Sequence, residues 1–94
     1  MTNLKKQTVT DKIETVSVDF GSYYVLQVRE AIQVLEDGNL LSQNFHRYVL
    51  NPDHDVSKIA DATVKAQFQA VMTDSVKANY QAFKEAQEAE LNPG

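Results

Sequence analysis

The chain has 94 residues, and its few side chains suited to chemistry fall in two short runs. The first is Asp53-His54-Asp55, an imidazole between two carboxylates. Such a trio could ligate a divalent ion or raise the histidine pKa. A metal site needs further ligands converging from elsewhere, and His46 is the only other histidine. Asn and Asp around Pro52 are also what a turn requires, so no metal and no cofactor is expected. The second run is His46-Arg47-Tyr48. His46 and Tyr48 with Arg29 could form an exposed binding patch, because Tyr and Arg are over-represented at interface hot spots, and Gln43 lies on the same strand, an open sheet edge. Arg29, Gln43, His46 and Tyr48 are therefore the candidate interaction residues.

Other catalytic arrangements find no support. With no cysteine, disulfides, zinc ribbons and thiol chemistry are excluded. None of Ser17, Ser22, Ser42, Ser57 and Ser75 lies in a Gly-x-Ser-x-Gly elbow. Gly21, Gly38 and Gly94 are too scattered for a phosphate loop. Glu30 is the carboxylate expected to be partly buried, and beside Arg47 it reads as an ion pair at the margin of a core. A sheet of this size with two helices is expected to leave little volume for a pocket. The expectation is a protein that is not an enzyme.

Charge narrows the partners. The net charge is −4, and residues 53–94 carry most of the excess, with seven acids against four bases. Nucleic acids and anionic membranes both demand clustered bases, whereas Lys5-Lys6 is the only adjacent basic pair. Neither is expected as a partner. The N-terminal residues offer no apolar stretch that would serve as a signal or a span. With 43% hydrophobic and 23% charged residues, the composition is that of a folded domain.

The elements that must position these residues follow from periodicity. Residues 1–11 are polar and aperiodic, an expected flexible arm, and residues 12–94 form a single domain. Val16, Val18 and Phe20 alternate with polar residues, as in a half-buried strand. A longer strand runs from Tyr23 to Leu35, and a third from Leu40 to Leu50. Asp37-Gly38 between the last two predicts a type I′ hairpin, pairing Val34 with Leu41, Glu30 with Phe45, Val28 with Arg47 and Leu26 with Val49. That register turns Phe45 and Val49 inward and sets His46 and Tyr48 outside, opposite Arg29 and Gln27. For the first hairpin, matching apolar faces predict a three-residue loop, Gly21-Ser22-Tyr23. After Pro52 the period becomes helical. One helix is expected over about 58–71, capped by Ser57, and a second over about 74–89, capped by Thr73 and stopped by Asn92-Pro93-Gly94.

The expected fold is α+β: a three-stranded antiparallel β-meander with two C-terminal helices packed on one face. Its first and third strands are open edges, and the third lacks a lysine to guard it. Self-association through that edge and the exposed strand face is the favoured reading.

Several runs carry a resemblance. They are Val28-Arg29-Glu30-Ala31-Ile32-Gln33, Glu36-Asp37-Gly38, Phe45-His46-Arg47, Pro52 with the acids after it, Val71-Met72-Thr73-Asp74-Ser75-Val76, and Tyr80-Gln81. In these the chain resembles short, uncharacterised proteins of tailed bacteriophages, cyanophages among them. The resemblance implies a phage origin, a place in the virion or the host cytoplasm, and no activity. The function expected is that of a non-enzymatic, oligomeric phage structural or assembly protein. The alternative is a small phage regulator that binds a host protein through its acidic helical half.

Overall fold

Alternation of apolar and polar side chains builds three long antiparallel strands, and helical spacing builds two helices after them. The structure is a computed structural model and describes residues 3–91. Strand β1 spans Leu4–Val18, β2 Tyr23–Glu36 and β3 Asn39–Leu50. A 3-10 turn at Val56–Lys58 precedes helices α1 (Ala62–Val71) and α2 (Asp74–Leu91). The sheet order is β1-β2-β3, so the fold class is the expected one.

Both hairpin turns depend on left-handed backbone. Asp37 and Gly38 have φ of 50° and 84°, the geometry of a type I′ turn whose twist suits the strands. In the first hairpin Ser22 N–H donates to the Asp19 carbonyl at 3.1 Å, enclosing Phe20 and Gly21 at φ 55° and 85°. The connection is thus the four residues 19–22 rather than the three expected, and it pairs Val18 with Tyr23 and Val16 with Val25. A bulky residue at positive φ is strained, and Phe20 is fully exposed at this tip. Phe20→Asn should therefore stabilise the fold by about 1 kcal/mol, read as a higher urea midpoint with an unchanged slope.

Two irregularities set the register. On the β1 side Asp11 is inserted between Thr10, opposite Glu30, and Lys12, opposite Arg29. On the β3 side the pairing slips at Leu41: Leu40 faces Leu35, but Ser42 already faces Val34. The Asp-Gly turn is as expected, yet one bulged residue beyond it corrects every later pair. His46 faces Glu30, Tyr48 faces Val28, Leu50 faces Leu26, and Arg47 lies opposite Arg29 rather than near Glu30. Side-chain period being two, the slip sends Phe45 and Val49 outward and Tyr48 inward. Deleting Leu41 should close the bulge and keep all pairs from Ser42 to Leu50, which cross-strand NOEs would report.

The expected arm is a strand from Leu4 onward: residues 4–10 pair with β2 up to Glu36. Residues 1 and 2 of that arm, and the stop at Asn92-Pro93-Gly94, lie outside the described residues. The first helix begins later than expected. Asp55 caps the 3-10 turn through Ser57 N–H at 3.0 Å, and Asp61 caps α1 through Thr63 and Val64 N–H at 2.8 and 3.1 Å. Thr73 caps α2 as expected, accepting from Val76 N–H at 3.3 Å.

The core occupies one end of the sheet. Tyr23, Val25, Leu26, Val28 and Leu50 meet Ile59, Val64, Phe68, Met72 and Val76 there. Helix α1 is tied to the Leu26 side by Gln67 donating to the Thr15 hydroxyl at 3.1 Å. Helix α2 closes on Tyr23, whose ring meets those of Tyr80 and Phe83 at 5.0 and 5.4 Å. Tyr23 and Leu26 have opposite parity on β2, so the helical cover wraps the sheet's end. Among the described residues, the core takes no member from 4–12, and from 29–47 only Ala31 is buried, apart from the main cluster. The outer sheet projects as a bare ribbon, and the molecule measures 67 × 28 × 23 Å. Its radius of gyration is 18.1 Å, against about 12 Å for a compact domain of this length.

Candidate functional site

Where the helical cover ends, the Asn51–Asp61 loop and the sheet enclose an open cleft of about 460 Å³. Glu30 and Tyr48 form its sheet side, His54 and Ile59 its loop side, and Lys58 and Asp61 also line it. Its presence corrects the expectation that such a fold leaves little room. A shallower groove continues from it along β1 past Thr8, Val9 and Thr10. Glu30 is on the central strand with its side chain 29% exposed, and its ionic neighbour is His46 Nδ1 at 3.8 Å. Burial, then the charges of Glu30 and Asp61, push the Tyr48 phenol above its ordinary pKa. Asp61 is held below the usual carboxylate range by the Val64 N–H first, then by the Thr10 hydroxyl.

The Asp53-His54-Asp55 run disperses into local structure. Asp53 pairs with Lys84 at 3.1 Å, His54 packs edge-on against Phe68 at 6.3 Å, and Asp55 caps the 3-10 turn, its carboxylate also taking the Ser57 hydroxyl at 2.7 Å. Among the described residues no group of three or more His, Cys, Asp or Glu could hold a metal ion.

The four candidate interaction residues are divided between the faces of the sheet. Tyr48 and His46 share the Val28 face, Tyr48 half-buried in the cleft and His46 exposed beyond it. Arg29 and Gln43 belong to the opposite face. Arg29 makes a two-pronged contact with Asp11, at 3.0 and 2.8 Å, and its guanidinium lies 4.5 Å above the Phe45 ring. Hydrogen bonding to Arg29 is the main reason that Asp11 is held below its ordinary pKa. Next along this face Gln7 donates to Gln33 at 2.8 Å and Gln33 to Gln43 at 3.3 Å, a ladder across all three strands. Sequence reasoning missed Asp11, assigned to the arm, and Phe45, assigned to the core. No local signal marks Asp11, because Val9 and Ile13 keep one parity across the bulge that carries it.

Four carboxyls with lowered pKa, those of Asp11, Asp55 and Asp61 and that of Glu14, which Lys12 lowers, predict an acid limb. For Asp11 the main cause is Arg29, for Asp55 the Ser57 hydroxyl, and for Asp61 the Val64 N–H. A carboxyl lowered on folding stabilises the native state above its unfolded value, here 3.8 for the aspartates. That contribution is lost as pH falls through the folded value. Tm followed by circular dichroism should hold from neutrality to about pH 4 and fall below it. Asp61→Ala should lower Tm at neutral pH and shallow the acid limb; a Tm that rises on acidification would contradict this.

No described helix is long and apolar enough to cross a membrane. No protein-family model, curated protein or solved structure matches the chain.

Proposed function

We propose that this protein is a non-enzymatic assembly protein that associates with copies of itself through the outer half of its sheet. The observation behind this reading is the uncovered ribbon, with Leu40, Leu41, Phe45 and Val49 exposed along β3. A sheet edge leaves a row of N–H and C=O groups that template pairing. Edge strand β1 carries Lys5, Lys6 and Lys12, the usual guard, whereas β3 has no lysine. Two β3 strands meeting antiparallel about a two-fold axis would set the Phe45 faces side by side, in an isologous contact.

The surface area supports it. The chain exposes 6604 Å², where a compact monomer of its mass exposes about 5,500 Å². The surplus exceeds the roughly 800 Å² that each partner buries in a standard interface. The resemblance to phage proteins implies a particle as the setting, and mass spectrometry of purified particles would test that setting. The assembly reading is tested by light scattering at tens of micromolar, where a dimer or larger species is expected. A strict monomer there would overturn it.

A further inference from the structure

We infer that the cleft at the end of the helical cover binds an organic cation, an ammonium or guanidinium on an alkyl stem. This inference does not depend on the assembly reading, which uses the outer ribbon and the β3 edge, although Val49 borders both surfaces.

The half-buried Glu30 side chain, 29% exposed, carries it. A carboxylate taken partly out of water is normally paired or hydrogen-bonded. Among the described residues no N–H or O–H is hydrogen-bonded to Glu30, and the His46 ring at 3.8 Å is beyond hydrogen-bond reach. The cation expected beside it, Arg47, is on the other face and opposite Arg29. Glu30 is thus an acceptor-only group at the wall of a cavity of about 460 Å³, within the size range of small-ligand sites.

The other walls fit the same chemistry. The Tyr48 ring lines the cleft beside Glu30, and an aromatic face attracts a cation. Asp61, held ionised by its capping bonds, adds a second negative charge. Ala60, exposed in the cleft lining, offers apolar surface to the methylenes of a stem. An anion would meet both carboxylates, against one cation, Lys58, which is itself exposed. His46 and His54 are the remaining titratable groups at the cleft.

The test is an amide NMR titration of the whole chain with two probes, N-acetyl-arginine methylamide and cadaverine, and with N-acetyl-norleucine methylamide as the neutral control. Saturable shifts in the millimolar range are expected at Glu30, Tyr48 and Ile59 with a cationic probe and not with the control. Glu30→Gln should weaken binding about tenfold or more, as loss of a charge-assisted bond does, whereas Glu36→Gln at the ribbon tip should leave it unchanged. A stronger response to the arginine derivative identifies a partner chain's side chain as the source, and a stronger response to cadaverine a free polyamine; either upholds the site. No saturable shift with either cation, an equal response to the neutral control, or unchanged affinity in Glu30→Gln overturns it. The wild-type comparison of charged and neutral probes decides even where the Glu30 variant does not fold.

Discussion

Phe68→Ala should cost about 3–5 kcal/mol, the usual range for emptying a buried phenylalanine site. Phe68 is 3% exposed and stands where α1 meets the sheet, with His54 against its edge. Its loss would leave a hole between α1 and the strands, lined by residues held from several directions. Stability is expected toward the lower end of the 5–15 kcal/mol typical of native proteins, because the core fills only one end of the molecule. The variant should therefore be largely unfolded at body temperature, with its urea midpoint sharply lowered. Phe45→Ala is the matching control. Phe45 is 45% exposed, and its chief partner is the Arg29 guanidinium above the ring, a contact worth about 0.5–1 kcal/mol. Measured in dilute protein, the Phe45 variant should lose about 1 kcal/mol or less. Equal losses in the two variants would show that β3 is paired in the other register.

That control also marks where the sequence stops being legible. Alternation identifies β2 and the end of β1 because there the sheet has an inside. Over residues 4–10 it has none. Lys5, Lys6, Gln7 and Thr8 pair with β2 through backbone groups that any side chain provides, so a strand reads there as an aperiodic tail. The register of β3 was hidden differently. Leu40 and Leu41 are both apolar, and a bulge at either one changes the parity of everything after it. The inward Tyr48 and outward Phe45 are chemically close enough that both registers bury an aromatic ring. The start of helix α1 is obscured because Ile59 and Ala60 extend its apolar spacing backward. Asp61 is the true cap, and its two backbone bonds win over a periodicity that one buried isoleucine imitates. The consequence reaches the candidate site. A register one residue out sets Arg29 beside His46 and Tyr48, and the cleft around Glu30 exists because Tyr48 turns inward.

Phe45→Glu should dissociate the assembly while leaving the monomer folded. A central aromatic anchor removed from an interface costs about 2 kcal/mol or more, or roughly thirtyfold in affinity. A carboxylate facing its two-fold mate adds like-charge repulsion to that loss. The same substitution suits the isolated chain. Position 45 shares its face with Arg29 and Arg47, so a glutamate there gains cations in place of the ring that Arg29 covers. Lysine would crowd those arginines and confuse misfolding with dissociation. Sedimentation should show Phe45→Glu as a monomer at concentrations where the natural chain is associated, with Tm for the monomer unchanged within experimental error. Val49→Glu, farther along the same face, should weaken association less. An oligomer that survives Phe45→Glu with undiminished affinity would remove β3 from the interface and leave the lysine-bearing edge of β1 as the strand to test.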